Sequence, residues 1–222
     1  MKVLLFGATG MVGQGVLREC LLDPGVERVV SVGRRSTGVR NDKLRDVVVT
    51  DVSDLTAIDA DVPSLDACFF CLGVSSIGMS EQDYERLTYQ LTMTIAETLA
   101  KKNTQLTFVY VSGAGTDSSE HGRVRWARVK GRTENALLRL PFKAAYMFRP
   151  GAIQPLHGVR SKTAAYQAIY TVTAPLLPLL RRLFPDHILT TEELGRAMIA
   201  VVRGGAPVRV LESRAISALG RG

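Results

Sequence analysis

Val3-Leu-Leu-Phe-Gly7-Ala-Thr9-Gly10-Met11-Val12-Gly13-Gln-Gly15 carries an apolar, strand-forming run straight into a glycine-punctuated turn. Gly7 allows the tight turn out of the strand, Gly10 lets the backbone approach a pyrophosphate, and Gly13 permits close packing of the helix that follows. Backbone N–H groups at the start of that helix then face the phosphates, which assigns Gly7, Thr9, Gly10, Met11, Val12 and Gly13 to cofactor binding. A Gly-x-x-Gly-x-x-Gly string alone also fits a structural turn that holds no phosphate. Strand, glycines and helix in that order favour a dinucleotide site.

Outward from this turn, apolar β-rich runs recur at Lys2–Phe6, Val29–Val32, Val47–Thr50, Ala67–Leu72, Thr107–Val111 and Ala144–Phe148, separated by helix-like stretches. Strand alternating with helix predicts an α/β protein with a Rossmann-like, doubly wound parallel sheet. A long helix is expected from Ser80 to about Lys101, opened by Ser80 as N-cap and Asp83 in its first turn, and a second over Val124–Arg139. Near the end, a helix over Thr191–Val202 and a Gly-Gly-Ala-Pro turn lead to a strand at Val208–Leu211 that could add an edge to the sheet. The 222 residues, 46% of them hydrophobic, suffice for one substantial core. The expected organisation is one nucleotide-binding domain over 1–222, with 151–190 as a small cap on the substrate side.

Twenty-eight basic against 21 acidic residues give a net charge of +7, which suits a phosphorylated ligand, nucleic acid or an acidic membrane surface without choosing among them. The chain opens Met-Lys and enters a short apolar strand with neither a secretory hydrophobic region nor a small-residue cleavage site, so a cytoplasmic protein is expected. Cys68-Phe-Phe-Cys71 falls in a strand, where residues three apart point to opposite faces, and the histidines at 121, 157 and 187 are isolated. No metal site is expected. Thr163–Leu180 is free of charge and is followed by Arg181-Arg182, but two prolines and its Tyr, Gln and Thr residues argue against a bilayer span. It reads as a pair of short helices over the ligand cleft, with an interfacial membrane contact anchored by the two arginines as the alternative.

The second strand ends at Val32-Gly33 and is followed by Arg34-Arg35, where a NAD-preferring fold would place a carboxylate on the ribose hydroxyls. Two guanidiniums fork onto a 2′-phosphate and neutralise it, which selects NADP(H) as the cofactor. The competing reading is a solvated basic loop that continues to Arg40, Lys43 and Arg45. Asp51-Val52 at the end of the third strand is expected near the adenine edge, and Cys71-Leu72-Gly73 at the end of the fourth beside the dinucleotide path, because ligands of such sheets bind outside the carboxyl ends of the strands.

Gly-Ala-Thr-Gly-x-x-Gly at 7–13, Arg34, Asp51-Val52, Leu72-Gly73, Val111-Ser112-Gly113 and Arg149-Pro150-Gly151 together resemble the atypical and extended, epimerase-like short-chain dehydrogenase/reductases. More narrowly, Trp126-Ala-Arg-Val-Lys130-Gly-Arg-Thr-Glu134 resembles the Tyr-x-x-Val-Lys-Gly-x-x-Glu stretch of the Tat-interactive, NAD(P)H-binding oxidoreductase-like proteins. The resemblance implies a serine that holds a substrate carbonyl, a tyrosine that transfers the proton, and a lysine that lowers the tyrosine pKa and holds the nicotinamide ribose. Ser112 and Lys130 match two of these places, Trp126 stands at the third, and Arg149, Pro150 and Gly151 join the cofactor-binding set. Residues 126 and 130 share one helical face, so the geometry survives while the ionisable phenol is gone. The proton then comes from another tyrosine (84, 89, 166 or 170) or from a water relayed by Ser112, or catalysis is absent.

The implied function is an NADP(H)-binding oxidoreductase acting weakly or atypically on a small carbonyl or hydroxyl substrate. The alternative is a non-catalytic NADPH-binding sensor or regulatory protein with no substrate at all. A homo-oligomer is left open. Arg123, Arg125, Arg128, Lys130 and Arg132 around Trp126 could form a nucleic-acid patch, but their spread around a helix favours a solvated face with cofactor contacts.

Overall fold

The computed structural model describes residues 1–158 and 188–222. In chain order the elements are β1 (Lys2–Phe6), α1 (Met11–Leu22), β2 (Arg28–Gly33), β3 (Leu44–Val48), β4 (Ala67–Phe70), α2 (Glu81–Glu85), α3 (Leu91–Lys102), β5 (Thr107–Val111), α4 (Arg125–Leu138), β6 (Ala144–Arg149), β7 (Ala152–Gln154), β8 (Ile188–Thr190), α5 (Thr191–Gly204), β9 (Val210–Glu212) and α6 (Ser213–Arg221). Seven strands form one sheet in the order β3-β2-β1-β4-β5-β6-β9, and every pairing is parallel. This is the Rossmann-like arrangement expected from the alternation of strands and helices, with the order reversing between β1 and β4.

Central strands in such a sheet are covered on both faces, so they are apolar at every position rather than alternating. Val3 through Phe6 are all fully buried. Val3 and Leu5 face a core shared with α1, α5 and α6, while Leu4 and Phe6 face the core built with α3 and α4. On the second face Phe6, Phe70, Phe108 and Phe142 form a chain of rings with centroids 5.4, 5.8 and 5.2 Å apart. Burial of each fully enclosed ring contributes roughly 1.5–3 kcal/mol. Cys68 sits in the α3–α4 core and Cys71, just past the end of β4, packs against the other, both as free thiols. Among the described residues no group of three His, Cys, Asp or Glu is placed to hold a metal ion.

Several boundaries shift from the sequence reading by one or two residues, the fourth strand ending at Phe70 rather than Leu72 and the last starting at Val210 rather than Val208, and two elements depart further. The third strand was expected at 47–50 and lies at Leu44–Val48. Its first half is polar because it is an edge strand whose polar side chains have partners of their own: Arg45 pairs with Asp61, and Asp46 receives hydrogen bonds from the preceding loop. The helix opened by Ser80, whose hydroxyl accepts from the Asp83 N–H at 3.1 Å, is α2 and α3 joined through one π-helical stretch at Arg86–Gln90. The last strand, β9, adds an edge beside β6, as expected. Of segment 151–190 the ends are described, and there β7 and β8 pair in parallel. Thr163–Leu180 lies outside the described residues, and with it both readings of that stretch. No helix among the described residues is long and apolar enough to cross a membrane.

Candidate nucleotide-binding site

The turn after β1 is built by steric necessity. Gly7 has φ +80°, and a Cβ there would lie 2.6 Å from the Cys71 carbonyl carbon at the end of β4. At Gly13 a Cβ would lie 2.0 Å from the Gly7 carbonyl oxygen, so only glycine lets the first turn of α1 close on the loop. Gly10 is the N-cap of α1, with no side chain to cap it, and its own N–H donates to the Gly7 carbonyl at 2.9 Å. The next amides of the helix start therefore present unmatched donors and the positive end of the helix dipole to whatever sits above them.

Above this turn lies a cleft of about 930 Å³ along the carboxyl ends of the strands. Gly7, Thr9, Gly10, Met11 and Val12 line it, with Arg34, Arg35, Val52, Cys71, Leu72, Gly73, Ser112, Trp126, Lys130, Pro150 and Gly151. Segments read separately in the sequence thus converge on one surface. Arg34 and Arg35 are exposed and make no ion pair among the described residues. Burial pushes the Cys71 thiol far above its ordinary range, so its place in the wall is that of a small apolar side chain.

Three residues assigned to the cofactor from sequence do not line the cleft. Gly13 is consumed by packing against the Gly7 turn. The Asp51 carboxylate closes its own turn, accepting from the Ser53 N–H at 2.9 Å and the Ser53 hydroxyl at 2.7 Å, contacts that hold its pKa below the usual range. Arg149 points instead into the protein beneath the cleft. Its Nε donates to both oxygens of Glu134 at 3.1 Å, its Nη2 to Glu134 and Ser118, and its Nη1 to Glu212 at 3.3 Å. Glu134 is 1% exposed, so its charge depends on Arg149 and Ser112, while the guanidinium also reaches the exposed Glu212. Burial works against the Arg149 charge, but Glu134 outweighs it and the guanidinium pKa rises.

The same Glu134 reorganises the catalytic reading. Ser112 Oγ donates to Glu134 Oε1 at 2.5 Å and lies 3.1 Å from the Phe148 carbonyl oxygen, so its hydroxyl proton is committed inward. Lys130 Nζ donates to the Ser112 main-chain carbonyl at 2.7 Å. Desolvation lowers the Lys130 pKa to about 8, against an opposing pull from the Glu134 carboxylate. Trp126 lies one turn before Lys130 on α4, its ring against the loop at Gly115, where φ is +83°. Tyr84, fully buried on α2, also lines the cleft, and of the tyrosines named from sequence it is the one the described lining contains. From sequence Glu134 stands in a motif and, four residues after Lys130, as its helical charge partner.

The basic residues of α4 are largely spoken for. Arg128 pairs with Glu81 and Arg132 with Glu85, two rungs at helical spacing between α4 and α2, and Arg125 donates to the Met79 carbonyl. Arg132 also lies over the Tyr89 ring at 4.2 Å.

A parallel sheet in this order, with a glycine turn and helix amides under a cleft at its switch point, defines a nucleotide-binding Rossmann protein. The model of the NAD dependent epimerase/dehydratase family matches residues 3–125, more than half of the chain, and the chain belongs to that family. Among its relatives, protein fmp52-2, mitochondrial, of Aspergillus terreus is 27% identical over 226 residues, covering 98% of this chain and 96% of its own. Protein FMP52, mitochondrial, of Saccharomyces cerevisiae is 27% identical over 165 residues, covering 73% of this chain and 69% of its own. In structure the chain is similar to the UDP-glucuronic acid 4-epimerase of Bacillus cereus in complex with NAD, with a TM-score of 0.67, 12% identity, and coverage of 96% of this chain and 76% of the epimerase. It is equally similar in fold to the Bordetella bronchiseptica enzyme WbmF in complex with NAD+, with a TM-score of 0.67, 17% identity, and coverage of 99% and 76%.

The relatives correct one expectation. A cytoplasmic location was read from the missing secretory signal, yet the fmp52 relatives are named mitochondrial. Absence of a secretory hydrophobic region speaks only to export and does not choose among compartments within the cell.

Proposed function

We propose that this protein is an NADP(H)-binding oxidoreductase of the short-chain type, acting weakly or atypically on a small carbonyl or hydroxyl substrate. The observation that carries the cofactor choice is the pair Arg34 and Arg35, exposed, without ion-pair partners among the described residues, and lining the cleft at the end of β2 where a ribose-binding carboxylate would otherwise stand. Bound there, the cofactor would supply the hydride. Thr9 to Val12 at the helix start would hold the pyrophosphate, and Lys130 would face the nicotinamide half from the cleft floor. With a pKa of about 8 the Lys130 amine exchanges its proton near neutral pH, whereas the Trp126 indole donates a hydrogen bond but does not ionise. Calorimetric titration with NADPH and NADH at one salt concentration tests the reading. Equal dissociation constants would overturn it.

One observation favours the second reading, a non-catalytic NADPH sensor. Ser112 spends its hydroxyl proton on Glu134 and Trp126 replaces the phenol, so neither residue offers the cleft the group that the family relay uses. Oxidation of saturating NADPH across a panel of aldehydes, ketones and quinones separates the two: any turnover that Lys130→Ala abolishes favours the enzyme.

A further inference from the structure

We propose that Asp46 is the residue that positions the Arg34–Arg35 loop for an adenosine 2′-phosphate and thereby sets the preference for NADP(H). This rests on the reading of the two arginines given above. The loop leaves β2 at Gly33 and runs to residue 41 without regular structure, so something other than a ladder of backbone bonds must fix it. Asp46 stands on β3 in register with Ser31, two residues before the strand ends. Its Oδ2 accepts three hydrogen bonds from the loop: from the Ser36 hydroxyl at 2.8 Å, the Thr37 N–H at 2.6 Å and the Thr37 hydroxyl at 3.0 Å. The two hydroxyls, their protons committed to Asp46, accept in turn from the Gly38 N–H at 3.1 Å and the Val39 N–H at 3.3 Å. Residues 36–39 are thus hung from one carboxylate oxygen, immediately after the two arginines.

The second oxygen, Oδ1, is buried on the side of Ser31, and Asp46 forms no ion pair with either arginine among the described residues. Burial opposes the Asp46 charge, yet the bonds from Ser36, Thr37 and Ser31 outweigh it and hold the carboxyl below its ordinary range. The carboxylate therefore holds the backbone of the loop and leaves both guanidiniums at the cleft. Two arginines on an unfixed loop would have to be ordered as the ligand arrived, and a loop already fixed removes that cost. A phosphate needs both forks at once, whereas a ribose hydroxyl does not, so the effect falls on NADPH.

Dissociation constants for NADPH and NADH are measured by calorimetry on the wild type, Asp46→Ala, Asp46→Asn and the pair Ser36→Ala/Thr37→Val. Asp46→Ala should weaken NADPH by about tenfold or more, the order expected for hydrogen bonds to a charged acceptor, and NADH by less than about threefold. Asp46→Asn retains an acceptor oxygen for the Thr37 N–H and should keep NADPH within about threefold of the wild type. The Ser36/Thr37 pair leaves the edge strand untouched and should reproduce the split if Asp46→Ala fails to fold. Exchange of the Thr37 and Gly38 amides should rise in each loosening variant. Unchanged NADPH affinity in Asp46→Ala, or equal losses for both nucleotides, overturns the proposal. If the wild type prefers NADPH and Arg34→Ala/Arg35→Ala removes that preference while the Asp46 variants do not, only this inference falls. If the wild type shows no preference, the arginine reading falls and takes this one with it.

Discussion

Glu134→Ala should be among the most destabilising single changes in this protein, and the structure sets its size. The side chain is 1% exposed and receives hydrogen bonds from the Ser112 hydroxyl and from two nitrogens of Arg149. Its removal leaves a guanidinium with an outer partner, Glu212, at 3.3 Å, and a hydroxyl contact to Ser118. Breaking a buried pair on one side costs about 3–5 kcal/mol because the surviving charge is stranded. The remaining contacts of Arg149 place the loss near the lower end, about 3 kcal/mol, against a total stability of ~5–15 kcal/mol for a typical domain. With a urea dependence of about 2–3 kcal/mol per molar, the midpoint should fall by about 1 M or more. Equilibrium urea unfolding followed by far-UV circular dichroism measures it, with the single tryptophan, Trp126, as a second probe inside the cleft. The double variant Glu134→Gln/Arg149→Met removes both charges and should recover much of the loss, since a buried pair is worth little more than its uncharged replacement. A loss below about 1 kcal/mol in Glu134→Ala, or a double variant worse than the single, would refute the account of a charge held by its partner.

Arg34→Ala/Arg35→Ala should weaken NADPH by ~2–4 kcal/mol and leave NADH nearly unchanged by calorimetry, while a matching loss for NADH would mean that the loop is only generically basic. Trp126→Tyr restores a phenol one turn from Lys130 and should raise NADPH-dependent carbonyl reduction by up to ~10²–10⁴-fold over a low baseline, with Trp126→Phe as the control that stays low. Gly13→Ala should abolish nucleotide binding or folding, because the added Cβ would lie 2.0 Å from the Gly7 carbonyl oxygen, and a variant that binds normally contradicts the packing argument. Lys130 has its pKa depressed from 10.5 to about 8, so the unfolded chain binds the extra proton between those values and stability due to this group rises as pH climbs through that window. Lys130→Met should therefore stabilise the protein more at pH 7 than at pH 10, a comparison that thermal unfolding at the two pH values makes directly.

Periodicity and glycine placement made the sheet and its ligand face legible in the sequence. An apolar strand, Gly7, Gly10 and Gly13 leave little choice of local geometry, and the alternation of strand and helix then dictates parallel pairing and a cleft at the carboxyl ends. Arg34-Arg35, Leu72-Gly73 and Pro150-Gly151 could be placed at that cleft because each stands at or just beyond a strand end. Side-chain direction was not legible, since it depends on partners far along the chain. Arg149 looked like a cofactor residue by position and turns inward because Glu134, 15 residues earlier, offers a carboxylate it cannot find in water. Ser112 looked available and is held by the same group from 22 residues away. Asp46 carried no signal at all, because a carboxylate on an edge strand reads as solvent-facing until the fold brings Ser36 and Thr37 above it. Local sterics fix the backbone from sequence alone. Which polar atoms meet beneath it is settled only when the sheet assembles, because each buried charge must find its partner across the tertiary structure.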